Sequence, residues 1–408
     1  MQQAHQNQRV LTTRCCIVGG GPAGMMLGFL LARSGVEVII LEKHKDFLRD
    51  FRGDTIHPST LELLVELGLL DEFLKLPHQE LRAVHATIEG KTIPIADFAH
   101  LPTTCKFIAF MPQWDFLNFL ADKARQFPTF HLHLETEATD LIEESGKVVG
   151  VRATSPTGEL EIRADLVVGT DGRKSIIREK AGLTVQDFGV PIDVLWMRIP
   201  KDPALGEQSL GYFKSGQFMV LIDRQDYSQC GYIIPKGQFE PLKQRGIAAL
   251  QADILSLAPF VGNYVKELKT WDQISLLTVK IDRLRQWYKP GLLCIGDAAH
   301  AMSPAGGVGV NMAIQDAVAA ANQLTASLQK GPVTSAELDR IQRRRLWPVR
   351  IIQSGQIFVH KRLINASVTN PATFPPVILW LFKHVSLIRR LPAYLIGVGP
   401  RPEHIRMK

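Results

Sequence analysis

The features that mark several common protein classes are absent from this chain of 408 residues. Its five cysteines show no CxxC spacing, so we expect reduced thiols, with neither a disulfide framework nor a metal site. The best candidate for a membrane span, 375–398, is interrupted by three basic residues and Pro392, so a transmembrane helix is not expected. Residues 1–9 are polar, so no signal peptide is expected and the predicted location is cytoplasmic.

A concentrated patch of positive charge is also missing, although the chain is basic overall. The net charge is +7 and the isoelectric point is near 9.1, but the lysines and arginines are scattered. The one tight run, Arg343 to Arg345, lies on a predicted helix and is typical of a solvated face, so no nucleic-acid partner is expected. The composition is that of a globular protein, and the length allows two domains or one domain with a large insertion.

The most informative segment present is Gly-Gly-Gly-Pro-Ala-Gly at positions 19–24. It follows an apolar run that ends at Val18, and a second apolar run over 36–41 ends at Glu42. This order of strand, glycine turn, helix, strand and acid is typical of a dinucleotide-binding βαβ unit, with the helix predicted over 22–33.

The glycines and the acid of this unit have separate predicted roles. Gly19 permits the tight turn, Gly21 lets the backbone approach a pyrophosphate, and Gly24 lets the helix pack closely on the strand. The unpaired N–H groups and the positive end of the helix dipole would bind the phosphates. Glu42 would accept hydrogen bonds from a ribose.

Two later apolar strands end in the same kinds of residue. The strand over 164–170 is followed by Asp171-Gly172, and the strand over 292–295 is followed by Gly296-Asp297. If the three strands share one sheet, their carboxyl ends meet at one crevice, which is where open α/β sheets bind ligands.

A glycine-rich stretch at 303–311 opens a long predicted helix over 310–328. Glycines at this density leave a flat surface free of side chains and point amide N–H groups at it. A helix N-terminus there stabilises negative charge on a planar ring, as in a reduced flavin, whereas a nicotinamide does not need such a site. The stretches around 80–100 and 190–275 are predicted to be rich in β-strands, so the nucleotide-binding fold is divided into three pieces.

The order of these motifs resembles the single-component (group A) flavoprotein monooxygenases, which have the p-hydroxybenzoate hydroxylase fold. The resemblance covers about 12–345 and is carried, in order, by the glycine segment, Glu42, Arg52-Gly53, Asp171-Gly172, Gly296 to His300, and Pro304 to Asn311. It implies non-covalent FAD with NADPH or NADH as co-substrate. It also implies that O2 is used to hydroxylate an aromatic or polycyclic small molecule through a flavin C4a-hydroperoxide.

The same resemblance implies an α/β fold. A Rossmann-like FAD-binding domain would be interleaved with a β-sheet substrate domain and followed by a helical C-terminal region. The predicted limits are 1–78, 103–186 and 272–345 for the FAD-binding domain, 79–102 and 187–271 for the substrate domain, and 346–408 for the C-terminal segment.

The resemblance also assigns cofactor contacts by position. Arg52 would lie between the pyrophosphate and the nicotinamide nucleotide, and Gln113 would contact the FAD sugar-phosphate. Asp171 would line the pyrophosphate or pyridine-nucleotide groove, Asp297 would bind the ribityl chain, and residues 304–311 would flank the isoalloxazine ring. The complete predicted cofactor set is Gly19, Gly21, Ala23, Gly24, Glu42, Lys43, Arg52, Gln113, Asp171, Gly172, Asp297, Pro304, Gly307, Gly309 and Asn311.

Oxygen transfer requires a site that excludes water, so a dry pocket is predicted between the sheet and the inserted β domain. No catalytic side chain is assigned; His57 either faces the flavin or the substrate, or starts a helix and bonds to the backbone. His300 is expected to be structural and Asp316 to bond locally. The predicted substrate-lining residues, each with core packing as its alternative, are Met197, Tyr212, Phe218, Met219 and Tyr232.

The C-terminal stretch is both basic and apolar, with an aromatic segment at 380–383 followed by Leu387 to Leu391, which includes Arg389 and Arg390. One interpretation docks this stretch on the core with its charges exposed. The other is a surface helix that lies on a membrane or covers the entrance for a lipophilic substrate.

Three other functions fit part of the pattern. A flavin-dependent halogenase would carry a WxWxIP motif, but the nearest segment, 196–200, lacks the second Trp. A prenyl-chain reductase of the same superfamily would saturate double bonds without oxygen. A non-catalytic escort protein with the FAD fold is disfavoured by the intact Asp171-Gly172 and Gly296-Asp297 motifs. The β-rich insertions carry no transferable motif, so the sequence does not identify the substrate.

Overall fold

The computed structural model describes residues 9–48, 54–201, 210–224, 227–361 and 376–406. Within these ranges the strands are β1 (Arg9–Val18), β2 (Val38–Leu41), β3 (Thr55–Ile56), β4 (Gln79–Leu81), β5 (Ala83–Ile88), β6 (Lys91–Asp97), β7 (Ile108–Phe110), β8 (Phe130–His133), β9 (Glu137–Glu144), β10 (Lys147–Ser155), β11 (Gly158–Gly169), β12 (Val185–Asp187), β13 (Ile192–Pro200), β14 (Gly211–Lys214), β15 (Gln217–Arg224), β16 (Tyr227–Pro235), β17 (Ser275–Thr278), β18 (Asp282–Leu284), β19 (Tyr288–Lys289) and β20 (Leu292–Cys294). The helices are α1 (Pro22–Arg33), α2 (Pro58–Glu66), α3 (Leu70–Phe73), α4 (Gln113–Ala124), α5 (Ile176–Lys180), α6 (Phe239–Arg245), α7 (Ile247–Leu257), α8 (Val308–Leu328), α9 (Ser335–Val359), α10 (Pro376–His384) and α11 (Ser386–Gly397).

An eight-stranded sheet has the strand order β19-β20-β11-β1-β2-β8, with β9 and β10 added beside β11. Strand β1 is parallel to β2 and to β11, and β11 is parallel to β20. Every residue of β2 and of β20 is buried, as expected for parallel strands that lie between helices. The carboxyl ends of β1, β2, β11 and β20 therefore meet at one edge, which we call the strand-end edge.

Helix α1 packs directly on this sheet because its sequence provides small residues where the backbones approach. It starts at Pro22, which suits the first helical turn because proline lacks the N–H that would be unpaired there. A Cβ at Gly28 would lie 2.4 Å from the end of the Ile40 side chain of β2, so a larger residue there would force that side chain to shift.

A seven-stranded sheet has the order β17-β13-β16-β15-β14-β5-β6, so residues from both β-rich stretches share it. The stretch over 190–275 is rich in β-strands, as predicted, but its residues 239–257 form α6 and α7, which the sequence analysis did not identify. Leu250, Ile254 and Leu257 recur at helical spacing and pack on one face of this sheet. That face is therefore covered by helices.

The helical character of the C-terminal region is confirmed, because α9, α10 and α11 account for most of its described residues. The exact domain limits stay a prediction. Helix α9 crosses the proposed limit at 345, and β4 pairs with β7 in a separate three-stranded sheet with β3. Among the helices of the described ranges, none is long and apolar enough to cross a membrane.

Candidate flavin site

Three distant stretches of chain meet at the strand-end edge, as the sequence predicted. Gly19 has φ +111°, and a Cβ there would lie 2.6 Å from the Thr170 carbonyl oxygen. The Thr170 hydroxyl donates hydrogen bonds to the carbonyls of Val18 (2.9 Å) and Gly19 (2.7 Å). A Cβ at Gly296 would lie 3.2 Å from the Ala23 side chain. The glycine turn, the end of β11 and the end of β20 are thus in contact.

The turn between β1 and α1 forms a cradle made of backbone. A Cβ at Gly24 would lie 2.0 Å from the Gly19 carbonyl oxygen, so α1 sits directly against the turn. By contrast, no atom lies within 4 Å of the Cβ position of Gly21, which is the N-cap and has no side-chain capping bond. The N-terminus of α1 therefore has no side-chain cap and has open space beside Gly21, which fits a pyrophosphate.

Glu42 lies at the carboxyl end of β2, is buried, and faces the glycine turn. Its carboxylate accepts hydrogen bonds from the backbone N–H groups of Gly20 (2.9 Å) and His44 (3.1 Å), which fix its orientation. The next residue, Lys43, points to the surface, with its ammonium 3.8 Å from the Glu137 carboxylate. The position of Glu42 fits the ribose contact expected of it, and that contact stays a prediction.

The segment after β11 uses its acid to hold helix α5. The Asp171 carboxylate accepts hydrogen bonds from the Ser175 hydroxyl (2.5 Å) and the Ile177 N–H (3.2 Å). Burial raises the pKa of Asp171, although these hydrogen bonds favour the ionised form. Gly172 has φ +83° and open space around its Cβ position. Asp171 therefore shapes this part of the crevice by fixing its backbone.

Arg173 joins two of the three stretches and was not identified from the sequence. Its Nε donates to the Asp297 carboxylate (3.0 Å), and one Nη donates to the Met302 carbonyl (3.1 Å). The other Nη is buried and has no hydrogen-bond partner within the described ranges. A buried guanidinium nitrogen without a partner fits an anionic or carbonyl group of a ligand. The signal in the sequence was a basic residue directly after Asp171-Gly172.

The glycine-rich loop before α8 packs on the segment that starts α2. Gly307 has φ +64°, and a Cβ there would lie 2.4 Å from the Thr55 hydroxyl. The Asn311 side chain accepts hydrogen bonds from the His57 N–H (3.0 Å) and the Thr60 hydroxyl (2.7 Å). The loop that follows Pro304 is therefore fixed from one side. Gly309 has open space around its Cβ position, which fits a flat ring.

His57 is buried at the start of α2, and its ring bonds to backbone. Its Nδ1 lies 2.7 Å from the Ile396 carbonyl oxygen of α11, so Nδ1 carries the proton. Burial lowers the pKa of His57 to about 4, and the bond to Ile396 opposes this only in part. The ring is neutral at pH 7. Of the two alternatives drawn from the sequence, this geometry matches the helix-start position that is bonded to backbone.

A buried charge network holds the end of β20 in place. The Asp316 carboxylate accepts hydrogen bonds from the Gly296 N–H (3.0 Å), from His300 Nε2 (2.5 Å) and from Arg345 Nε (2.8 Å). Burial alone would raise the pKa of Asp316, but His300 and Arg345 outweigh it and lower this pKa. Arg345 also contacts Glu403, so the network extends to the C-terminal tail. His300 and Asp316 thus belong to a structural network. This network reaches residues distant in sequence, whereas the sequence analysis expected Asp316 to bond only to its neighbours along the chain.

A second group of polar residues links the seven-stranded sheet to the segment that leads into β3 of the three-stranded sheet. Arg224 of β15 forms an ion pair with Asp54 (2.5 Å) and donates to the Gln229 side chain (3.1 Å). Burial raises the pKa of Asp54, although Arg224 and the Gln113 backbone N–H favour its ionised form. Gln113 is thereby placed at this junction, at the first turn of α4. Arg52, predicted nearby, lies outside the described residues.

Four of the five predicted substrate-lining residues lie on the helix-covered face of the seven-stranded sheet. Met197, Tyr212, Met219 and Tyr232 belong to the cluster formed with α6 and α7. Tyr212 also lines a cavity of about 740 Å³ on that side, together with Phe260. These positions match the core-packing alternative for all four.

Side chains alternate between the two faces of a strand, so the even-numbered residues of β15 lie on the face opposite to Met219. Phe218 packs with Leu379 and Phe382 of α10, and Arg224 reaches Asp54. Even-numbered residues of β15 therefore face Asp54, which precedes β3, at one end and helix α10 at the other. Val220 and Ile222 lie between Phe218 and Arg224 on this face and are half-buried. The sequence analysis did not single out these two positions, because it did not recognise the helices that cover the opposite face of the sheet.

The fold and this crevice define a FAD-dependent monooxygenase of the p-hydroxybenzoate hydroxylase type. Residues 12–350 match the family described as "FAD binding domain", and the chain belongs to that family. It is 32% identical over 94% of its length to the 6-methylpretetramide 4-monooxygenase of Streptomyces rimosus, of which it covers 90%. It is 26% identical over 84% of its length to the 3-demethoxyubiquinol 3-hydroxylase of Escherichia coli, of which it covers 88%. The solved p-nitrophenol 4-monooxygenase of Pseudomonas putida has the same fold, with a TM-score of 0.78 and 21% identity over 97% of this chain and 100% of that one.

Proposed function

We propose that this enzyme uses NADPH or NADH and dioxygen to hydroxylate an aromatic or polycyclic small molecule. The observation that carries the proposal is the meeting of the glycine turn, Asp171-Gly172 and Gly296-Asp297 at one edge, beside an open glycine loop. The names of the relatives support a ring-containing substrate, since they denote a pretetramide, a demethoxyubiquinol and a nitrophenol. Their names also favour a hydroxylase over a prenyl-chain reductase, a halogenase or an escort protein.

The chain's own residues bind and orient the cofactor. When bound, FAD supplies hydride acceptance from the reduced nicotinamide and activation of dioxygen. Gly21 and the N-terminus of α1 would hold its pyrophosphate, and Glu42 would hold the adenosine ribose. Asp297, oriented by Arg173, would bind the ribityl chain. These assignments rest on the open space at Gly21 and on the unpartnered nitrogen of Arg173.

The region around the ring would exclude water and place the substrate. The glycine loop from Pro304 to Gly309 would flank the ring with backbone, and the even-numbered face of β15 would form the opposite wall. Arg224 with Asp54 closes one end of that wall, and Phe218 with α10 closes the other. Excluding water would direct activated oxygen to the substrate instead of releasing it as peroxide.

The nicotinamide nucleotide would bind only transiently, because the chain has one glycine fingerprint and FAD occupies it. Arg52 and the groove shaped by Asp171 are the proposed contacts for this co-substrate. We place the reaction in the cytoplasm, where the five free cysteines would stay reduced. A peripheral contact with a membrane through the C-terminal helices is part of this proposal.

The test is a panel of phenols, quinones, quinolones and polyketides, scored with the yellow holoenzyme for NADPH and NADH oxidation under air. We expect at least one compound to stimulate oxidation and to gain one oxygen atom from ¹⁸O2, measured by mass spectrometry. Under nitrogen, product formation would stop for a monooxygenase and continue for a reductase. Conversion of a compound without consumption of NAD(P)H or oxygen would contradict our proposal.

Arg173→Gln tests the cofactor site separately from turnover. Charge-assisted hydrogen bonds contribute about 1.5–3 kcal/mol, so their loss should weaken FAD affinity about 10 to 150 times, measured by fluorescence titration of the apo-protein. Arg14→Gln is the matched control, because Arg14 pairs with Asp165 at the surface and is 46% exposed. Unchanged FAD affinity in Arg173→Gln would contradict the assignment of this nitrogen to the cofactor.

A further inference from the structure

Helices α10 and α11 present an apolar surface to solvent, which we call the C-terminal face. On α11, Leu387 (66% exposed), Leu391 (64%) and Tyr394 (36%) recur at spacings of four and three, so they form one stripe. On α10, Val377 (67%) and Trp380 (57%) are exposed in the same way. Isolated apolar residues are common on surfaces, but several exposed apolar residues on each of two consecutive helices indicate an interaction site.

The other side of both helices is anchored to the substrate sheet. Leu379 and Phe382 of α10 pack against Ile88, Ile93 and Phe213. On α11, Ala393 is fully buried with Phe98 and Leu101. This side of both helices therefore matches the interpretation in which the C-terminal stretch docks on the core with its charges exposed. The C-terminal face is a second apolar side on helices that are already docked, and core packing does not account for it.

The charged residues of the two helices have one sign, because α10 and α11 contain lysine and arginine but no aspartate or glutamate. Lys383, Arg389 and Arg390 lie on α10 and α11 themselves, and none of them takes part in an ion pair with another described residue. Lys383 and Arg390 are exposed next to the apolar side chains. Any partner must therefore accept both apolar side chains and a concentration of positive charge.

Charge complementarity distinguishes the two simplest occupants. In a symmetric dimer through this face, Lys383 and Arg390 of each copy would lie close to those of the other, and like charges would oppose association. An anionic bilayer surface offers headgroups to the basic residues and acyl chains to the apolar stripe. The surface chemistry therefore matches a membrane and opposes a second copy.

We propose that α10 and α11 dock the enzyme on the surface of an anionic phospholipid bilayer. Leu387, Leu391 and Trp380 insert at the level of the headgroups, and Lys383 and Arg390 contact lipid phosphates. The same α11 carries the Ile396 carbonyl that binds His57, beside the glycine loop. Docking thus sets the bilayer next to the substrate side of the crevice, where compounds dissolved in the membrane arrive.

The experiment is sedimentation of the full-length, FAD-loaded protein with vesicles of phosphatidylcholine, with and without phosphatidylglycerol. We expect binding to the vesicles that contain phosphatidylglycerol, with affinity falling at high salt because screening weakens the charge contacts. Lys383→Gln combined with Arg390→Gln should weaken this binding at least about tenfold. Leu387→Gln combined with Leu391→Gln should abolish it.

The matched control carries Val185→Gln and Leu276→Gln, which remove exposed apolar residues far along the chain from α10 and α11. This control should bind vesicles as the unmodified protein does. The flavin absorption spectrum confirms that each variant is folded.

Three outcomes would overturn the docking proposal. They are absence of binding by the yellow protein, equal binding to both kinds of vesicle, and loss of binding in the control. Dimerisation that disappears in the Leu387→Gln, Leu391→Gln variant, without vesicle binding, would assign the face to a second copy instead. Lipid binding is measured without turnover, so its failure is distinguishable from failure of the proposed hydroxylase reaction, which uses soluble ring compounds.

Discussion

The strand-end edge of the eight-stranded sheet and the even-numbered face of β15 in the seven-stranded sheet, which are the two walls of the proposed site, are built differently. The strand-end edge is made of backbone that only glycine permits, as at Gly19 and Gly24, and of buried charges such as Asp316. The even-numbered face of β15 is made of ordinary side chains such as Val220 and Ile222. The backbone and buried charges of the strand-end edge therefore permit few residue types, whereas the side chains of the other face need only a suitable polarity and size.

The largest expected effect tests whether buried charge holds the strand-end edge. Asp316→Asn removes the nearer of the two carboxylates that pair with the buried Arg345 and, among the described residues, leaves only Glu403 at 3.4 Å, so we expect the free energy of unfolding of the apo-protein to fall by about 3–5 kcal/mol. Urea unfolding at pH 7, followed by circular dichroism, measures the change. Asp165→Asn is the control, since its ion pair with Arg14 is exposed and contributes less than about 1 kcal/mol. Equal losses in both variants would show that the buried network is not what holds this edge.

This difference explains what the sequence could and could not predict. The turn at 19–24, Glu42 and the glycine loop were found because special backbone conformations and buried acids leave few residue choices. Arg173 was missed because its importance lies in a contact with Asp297, more than a hundred positions away. The face occupied by Met219 could not be read from β15 alone, since alternation shows that there are two faces but not which one a helix covers.

A pH series examines the hydrogen bond between His57, at the start of α2, and the Ile396 carbonyl of α11. The pKa of His57 is lowered to about 4 in the folded protein and is near 6.5 when unfolded, so only the unfolded chain takes up this proton between those values. The stability contributed by neutral His57 is therefore complete above pH 6.5 and declines as the pH falls to about 4. The expected loss over this window is about 3 kcal/mol.

His57→Gln should remove that part of the pH dependence, because glutamine does not titrate. Urea unfolding at intervals between pH 7 and pH 4 gives the slope for each protein. His131→Gln, at a site that is 45% exposed, is the matched control and should keep the slope of the unmodified protein. A slope in His57→Gln as steep as in the control would mean that His57 is not buried as a neutral ring.

Two glycines of the same turn separate folding from cofactor binding. Gly24→Ala places a Cβ 2.0 Å from the Gly19 carbonyl oxygen, so the apo-protein should lose about 2 kcal/mol of unfolding free energy. Gly21→Ala meets no protein atom within 4 Å, so the apo-protein should keep its stability to within about 0.5 kcal/mol. Its added methyl group occupies the space assigned to the pyrophosphate, and FAD affinity should fall about tenfold, measured by fluorescence titration. Full FAD affinity in Gly21→Ala would place the pyrophosphate elsewhere.

The smallest expected effect tests the assignment of the two faces of β15. Ile222→Val removes one methylene from the face turned to the crevice, and loss of its contact corresponds to about 0.8 kcal/mol. The KM for the best hydroxylated compound of the panel should therefore rise about fourfold, with stability nearly unchanged. Met219→Leu changes the neighbouring side chain to one of similar volume beneath α7, so KM should stay the same. If KM responded to Met219 and not to Ile222, the substrate would bind on the α6–α7 side of the sheet, near the cavity lined by Tyr212, and the wall opposite the glycine loop would have to be reassigned.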